Sequence, residues 1–312
     1  MRTVHPPTAA ALAALAAIFV GASVPVTGLL DGYPVLSAQA ARYAIGAALL
    51  FVWLRGRVPL PTRRDLGGLA VMVGAGMLGF NAAILLAQRY ATPGFVAAML
   101  GASPLVLAVA APLLRGRRPS RPALTGGGLV AVGVVTLSGG GSWHGPGLVL
   151  SIVVVLCEVA FTLGGVGVVA RLGAVGASFW SCVGAAAGGA VLSTVLSGTA
   201  AWPAPTTTET VAVLVLGSVV TALAFGCWYT GVAVLGADRV GVLIGLMPVA
   251  GLAASVLLDR QDLTPVSVIG VLIVTAGCVL GLRGERTPPP HHSRPTLSTA
   301  TAGQLCSATH VD

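Results

Sequence analysis

The chain has no lysine among its 312 residues; all seventeen basic side chains are arginine. A phosphate-binding loop of the form G-x-x-x-x-G-K-[ST] needs that lysine, so a pump driven by nucleotide hydrolysis is excluded. Acids are scarce as well: charged residues make up 8% of the chain, where a soluble domain carries roughly a quarter. No basic face with interleaved aromatics is visible, which argues against a nucleic-acid partner. Cys157, Cys182, Cys227 and Cys278 lie in apolar runs without C-x-x-C spacing or neighbouring histidines, so neither a disulfide framework nor a metal site is expected. They read as small buried hydrophobes. H-E-x-x-H, G-x-S-x-G and paired-aspartate motifs are missing. GVGVVA at 165–170 fits G-x-G-x-x-A, but the next acid is Glu209, too far on for the ribose-binding partner expected about 20 residues later. The expectation is a protein with no cofactor, no metal and no catalytic residue, and not an enzyme.

Apolar residues supply 55% of the chain, and the mean hydropathy is +0.93. A bilayer core takes roughly 20 apolar residues per helix. Runs of that length between Arg, Pro and Asp predict ten spans: 8–30, 34–54, 66–88, 93–114, 122–139, 147–169, 176–198, 209–234, 240–258 and 265–282. The first is longer than the 7 to 15 residues of a signal-peptide core. Residues 284–312, rich in Pro, His, Ser and Thr, cannot bury a core and are expected to be a disordered tail.

Arginine placement sets the orientation. With the N-terminus inside, the cytoplasmic segments hold Arg2, Arg55, Arg57, Arg63, Arg64, Arg115, Arg117, Arg118, Arg121, Arg171, Arg239, Arg283, Arg286 and Arg294, and the outside holds only Arg89 and Arg260. This positive-inside bias predicts a multi-pass protein of the cell membrane with both termini cytoplasmic.

The sequence also repeats. Moving residues 94–137 forward by 144 positions superimposes Gly101 on Gly245, Pro104 on Pro248, Gly126 on Gly270 and Gly133 on Gly277. Equivalent loops carry opposite charge bias: the Arg-rich 55–65 matches 199–209, which has no arginine. An odd number of spans per copy inverts the second copy, the arrangement of many secondary transporters. The domain reading is a short cytoplasmic N-terminus at 1–7, one five-helix repeat at 8–139, an inverted one at 147–283, and the tail at 284–312.

The stretches GFVAAMLGASPLVLAVAAPLLRGRRPSRPALTGGGLVAVGVVTL and ALAFGCWYTGVAVLGADRVGVLIGLMPVAGLAASVLLDRQDLTPVSVIGVLIVTAGCVLGL resemble the EamA-type transporters of the drug/metabolite transporter superfamily. In each, a helix with a mid-helix proline leads to a polar hairpin and a Gly-containing last helix. The resemblance covers about 8–283 and implies an all-α polytopic fold of ten transmembrane helices in an inverted 5+5 repeat, with a central cavity. It departs from the family pattern where Arg117 follows Gly116, where FVGAS at 19–23 replaces an early tryptophan, and where Glu158 stands near a common aromatic position.

Charges within the spans are the informative residues, because an ionised group at a helix centre costs about 2.5–3.5 kcal/mol unless a cavity or partner receives it. Glu158 lies roughly 16 Å and Arg42 roughly 12 Å from the same side, at 1.5 Å per residue, depths that allow direct pairing. Arg42 also reads as structural, since the resemblance places an arginine there whatever the substrate. Asn81, Trp228 and Tyr229 fall on spans that the resemblance implies line the cavity. Pro25, Pro104 and Pro248 are expected to kink spans one, four and nine and to serve as hinges. Trp53, Trp143, Trp202, Tyr33 and Tyr90 read as interfacial residues.

The reading is a secondary transporter exporting small polar metabolites, amino acids or relatives, by alternating access. Glu158 would bind the substrate amine or carry a coupling proton. The rivals are efflux of cationic or hydrophobic drug-like compounds and a non-transporting scaffold or receptor. Expected partners are a small-molecule substrate, a proton if transport is so coupled, and the lipid bilayer, with the protein a monomer or homodimer.

Overall fold

The computed structural model describes residues 4–30, 32–139, 142–257 and 263–283, so the tail reading at 284–312 lies outside the described residues. In lipid every backbone N–H and C=O must find a partner within the protein, which a helix provides along its own length. The described residues form helices throughout, with no strand and one isolated antiparallel bridge between Ala91 and Trp143. The α-helices are α1 (Pro6–Ala22), α2 (Val24–Thr27), α3 (Val35–Trp53), α4 (Arg63–Val71), α5 (Phe80–Ala87), α6 (Pro93–Leu100), α7 (Ser103–Leu113), α8 (Arg121–Ser138), α9 (Gly147–Ser197), α10 (Thr207–Val215), α11 (Ala224–Leu235), α12 (Ala237–Val240), α13 (Leu246–Leu257) and α14 (Pro265–Leu282). Seven helical stretches among the described residues are long and apolar enough to cross a membrane.

Polar caps start the rods. The Asp65 carboxylate accepts from the Thr62 amide at 2.8 Å ahead of α4, and that of Glu209 accepts from the Thr206 amide at 2.7 Å ahead of α10. Ser120 accepts from the Ala123 amide and Thr264 from the Ser267 amide. Each cap satisfies donors that a helix end would otherwise leave orphaned. Two π-helical segments, Met72–Gly79 and Leu216–Leu223, join α4 to α5 and α10 to α11. The caps, the π segments and the start of α5 against α11 all recur 144 positions apart, the offset of the Gly and Pro matches.

The two predicted spans at 147–169 and 176–198 are the two arms of α9, which meet at Gly173 with φ 74° and ψ 166°. That conformation is open to glycine and closed to residues with a Cβ. Contacts with the Arg63–Ala87 rod and the loop before it show what the break does. Along the first arm of α9, Cys157 neighbours Gly79, Phe161 neighbours Gly76 and Gly164 neighbours Val71 and Gly68. Along the second, Gly176 meets Pro59, Gly184 meets Val73 and Gly188 meets Leu78. Numbers fall with rising number in the first set and rise together in the second, so the chain reverses at this single residue.

α8 and α14 are joined at glycines. A Cβ on Gly126 would lie 2.5 Å from the Gly281 backbone, one on Gly133 2.7 Å from a Val274 methyl, one on Gly270 3.0 Å from the Leu137 amide nitrogen, and one on Gly277 2.8 Å from the Gly126 carbonyl. As numbers rise along α8 they fall along α14, so the helices are antiparallel. Exchanging each residue for its counterpart 144 positions away maps Gly126–Gly281 onto Gly270–Leu137. Small residues are what allow helices to associate in lipid, where no hydrophobic drive favours one apolar surface over another.

Gly126→Ala should lower thermal stability in detergent, because overpacking a close contact costs about 1–3 kcal/mol. Gly128→Ala, with nothing within 4 Å of its added Cβ, should leave stability unchanged or raise it, since alanine is the better helix former. Equal melting temperatures for the two variants would show that the α8–α14 contact is not tight.

Candidate functional site

A cavity of about 260 Å³ lies in the middle of the bundle, lined from both halves of the chain. α1 and α2 contribute Ala16, Val20, Ser23 and Thr27; α3 contributes Arg42 and Tyr43; the 63–87 rod contributes Gly76, Phe80, Asn81 and Ile84. From the second half come Glu158 and Phe161 on α9, Val220, Ala224, Phe225 and Trp228 on the 207–235 rod, and Met247 on α13. Both π-helical segments touch it, through Gly76 and Val220. A π turn widens the helix and frees carbonyls, and such turns gather at functional sites. Side chains bond carbonyls of both segments: Asn81 Nδ2 donates to the Met77 carbonyl at 2.6 Å, and Thr221 Oγ1 to the Leu216 carbonyl at 3.0 Å.

Four of the residues singled out in the sequence, Arg42, Asn81, Glu158 and Trp228, share this cavity. Arg42 and Glu158 do not pair. Arg42 Nε donates to Thr221 Oγ1 at 2.8 Å, and its guanidinium carbon stands 5.3 Å from the centre of the Tyr43 ring, within cation–π range. A π-segment hydroxyl thus takes the position that the sequence reading allowed for Glu158. Glu158 itself, half-buried, has no hydrogen bond or ion pair within reach among the described residues. Gln39 Nε2 donates to Asn81 Oδ1 at 3.4 Å, extending the polar wall behind Tyr43.

Tyr229 is not part of the cavity wall. It is fully buried beneath it, donating to the Phe161 carbonyl at 3.1 Å with its ring against Gly165. The missed residues are Tyr43, Phe80, Phe161, Phe225 and Thr221. The four aromatic ones bring, with Trp228, five of the chain's few aromatic rings to one cavity. Nothing in an apolar run distinguishes an aromatic facing a cavity from one facing lipid.

Pro104 and Pro248 stand in the first turn after breaks in their rods. Gly101 and Ala102 form a turn before α7, and a 3-10 stretch at Gly241–Gly245 precedes α13. Pro25 lies in α2, after the turn at Ser23 that ends α1. Proline has no N–H to donate and is tolerated where a helix begins anew. Trp53, Trp143 and Trp202 are exposed on the surface.

The EamA-like transporter family model matches residues 7–139 and again 145–283. The chain belongs to the EamA-like transporter family. It is 25% identical over 288 residues to the uncharacterized transporter YetK of Bacillus subtilis strain 168, covering 89% of this chain and 87% of that one. A crystal structure of a protein whose description names no function superimposes with a TM-score of 0.75 at 21% identity, covering 88% of this chain and 96% of the other. The family and the relative identify a multi-pass membrane transporter, and the solved structure supports the fold.

Because Tyr229 holds the floor from below, Tyr229→Phe should cost about 0.5–1.5 kcal/mol of stability, the net worth of one hydrogen bond, without weakening ligand binding. A large loss of affinity at unchanged stability would put its hydroxyl in the site.

Proposed function

We propose that this transporter exports small amine-bearing metabolites, amino acids or close relatives, across the cell membrane by alternating access. The observation that carries the reading is the shared central cavity, to which one repeat brings Arg42 and the other Glu158. Its volume of about 260 Å³ falls just under the ~300–1,000 Å³ of sites for drug-sized ligands, which favours a small metabolite. Glu158 receives the amine or carries a coupling proton, and Arg42, steadied by Thr221, offers its outer nitrogens to a carboxylate.

The architecture we assign is ten membrane helices in an inverted 5+5 repeat. The seven long stretches, with Gly147–Ala201 taken as two passes, and the shorter Pro6–Ala22 and 93–113 rods make up that number. The antiparallel α8–α14 pair supports the inversion, since repeat-equivalent helices running in opposite directions need an axis in the membrane plane. The arginine bias places both termini in the cytoplasm. Leu60→Cys and Arg118→Cys, in a cysteine-free background, should resist an impermeant thiol reagent applied to intact cells, while Trp143→Cys and Ala204→Cys react. The reverse pattern would invert the topology.

A second reading, efflux of organic cations, is favoured by one observation: Glu158 has no partner among the described residues while Arg42 is occupied, and the walls between them are aromatic. Reconstituted protein decides between the two. Glu158→Gln should abolish or uncouple flux while leaving insertion intact. If Glu158 carries a proton, the variant should still exchange substrate but ignore an imposed pH gradient; if it binds the amine, exchange itself should fail. Flux of cations and not of amino acids in the parent would establish the second reading, and unchanged kinetics in Glu158→Gln across pH would remove Glu158 from both.

A further inference from the structure

The two ends of the cavity are not alike. Its lining climbs from Ala16 to Thr27 along α1 and α2 but stops at Gly76 on the 63–87 rod, whose first thirteen residues contribute nothing to it. That unlined end is where the halves of the chain are locked together. Asp65, fully buried, receives Nε of Arg171, whose NH2 group also donates to the Arg64 carbonyl at 3.2 Å. Trp180 Nε1 donates to the Pro59 carbonyl at 2.8 Å. One turn further in, a Cβ on Gly68 would lie 2.8 Å from the Gly164 carbonyl oxygen, and one on Gly164 2.9 Å from a Val71 methyl, so the two rods touch at backbone distance.

The repeat supplies the comparison. Moved by 144 positions, Asp65 becomes Glu209, with the same capping role, and Arg171 becomes Thr27; Gly68 becomes Ala212, and Gly164 becomes Val20. At this second end the cation is gone and larger side chains replace both glycines. Val20 and Thr27 line the cavity. The second end keeps a hydrogen bond to the equivalent proline carbonyl, Tyr33 to Pro203 at 3.2 Å, but lacks the arginine and both glycines that close the first.

We propose that Asp65 and Arg171 are the cytoplasmic gate residues of the transport cycle, and that their asymmetry with Glu209 and Thr27 makes the outward-open state the resting one. This rests on the transporter reading and its topology. The physical reason is that Asp65 is buried: the Thr62 cap satisfies part of its carboxylate, and the half-exposed Arg171 supplies the balancing charge. Opening the cytoplasmic side separates Asp65 from Arg171, whereas closing the outer side gains no equivalent pair. A resting state open to the outside suits an exporter that must collect protons, or release substrate, there.

The test uses the full chain in a cysteine-free background, with a reporter at each end. Val168→Cys, buried against Gly68, reports cytoplasmic access in inside-out vesicles, and Val20→Cys reports access from outside in intact cells. Arg171→Gln and Asp65→Asn should each speed labelling of the inner reporter roughly fivefold or more, the shift that losing a modest bias between two states produces. The double variant should fall short of the sum of the two, because the Asp65–Arg171 pair is lost in each. Thr27→Arg, which places a cation at the repeat counterpart of Arg171, should slow labelling of the outer reporter. That arm leaves Asp65 and its cap untouched, so it stands even if the inner variants fold poorly. Unchanged inner labelling in folded Arg171→Gln, or an outer reporter indifferent to Thr27→Arg, would overturn the gate. Absence of solute flux in the parent protein would instead overturn the transport reading, whatever the labelling shows.

Discussion

The backbone contact between α8 and α14 is the constraint on which the rest of the structure depends. Helices in a bilayer gain nothing from hiding apolar surface from water, so their association comes from close packing, and only glycine lets two backbones approach to the distances at Gly126, Gly133, Gly270 and Gly277. The contact pairs each residue with the counterpart of its own partner, so it relates the two halves of the chain by a twofold exchange. Once that axis exists, each half meets the other with the same faces: α3 packs on the Leu216–Leu223 segment through Gly46 and Gly217, as the second arm of α9 packs on the 63–87 rod.

Where the halves do not meet at glycine they leave room. The cavity lies where Phe80, Phe161, Phe225 and Trp228 hold the rods apart and where the π segments widen them. Membrane-buried polar groups collect at this place because it is where their partners are. Thr221 steadies Arg42, Asn81 donates to the Met77 carbonyl, and Tyr229 closes the floor on Phe161. The carboxylate of Glu158, on the cavity wall, has no protein partner among the described residues.

The symmetry also gives the departures from it a meaning. An inverted repeat with two identical ends would open to either side at equal cost. This chain differs at a few matched positions, glycine against alanine and valine, and an arginine against a threonine, and the proposed gate rests on those differences.

The amino-acid sequence determined the class of protein, because apolar length, arginine bias and missing catalytic motifs depend only on composition and order along the chain. It also marked Glu158 and Arg42, since a charge within an apolar run is costly wherever the run goes. Pro104 and Pro248 were legible as punctuation. The sharp reversal at Gly173 was not, because a single glycine in a run rich in glycine carries no local signal. Nor could sequence decide that Arg42 takes Thr221 and not Glu158, that Tyr229 lies beneath the site, or that five aromatic rings converge on it. Those are contacts between residues far apart in the chain, and the direction in which a side chain points within an apolar helix is set by its neighbours, which only the tertiary structure supplies.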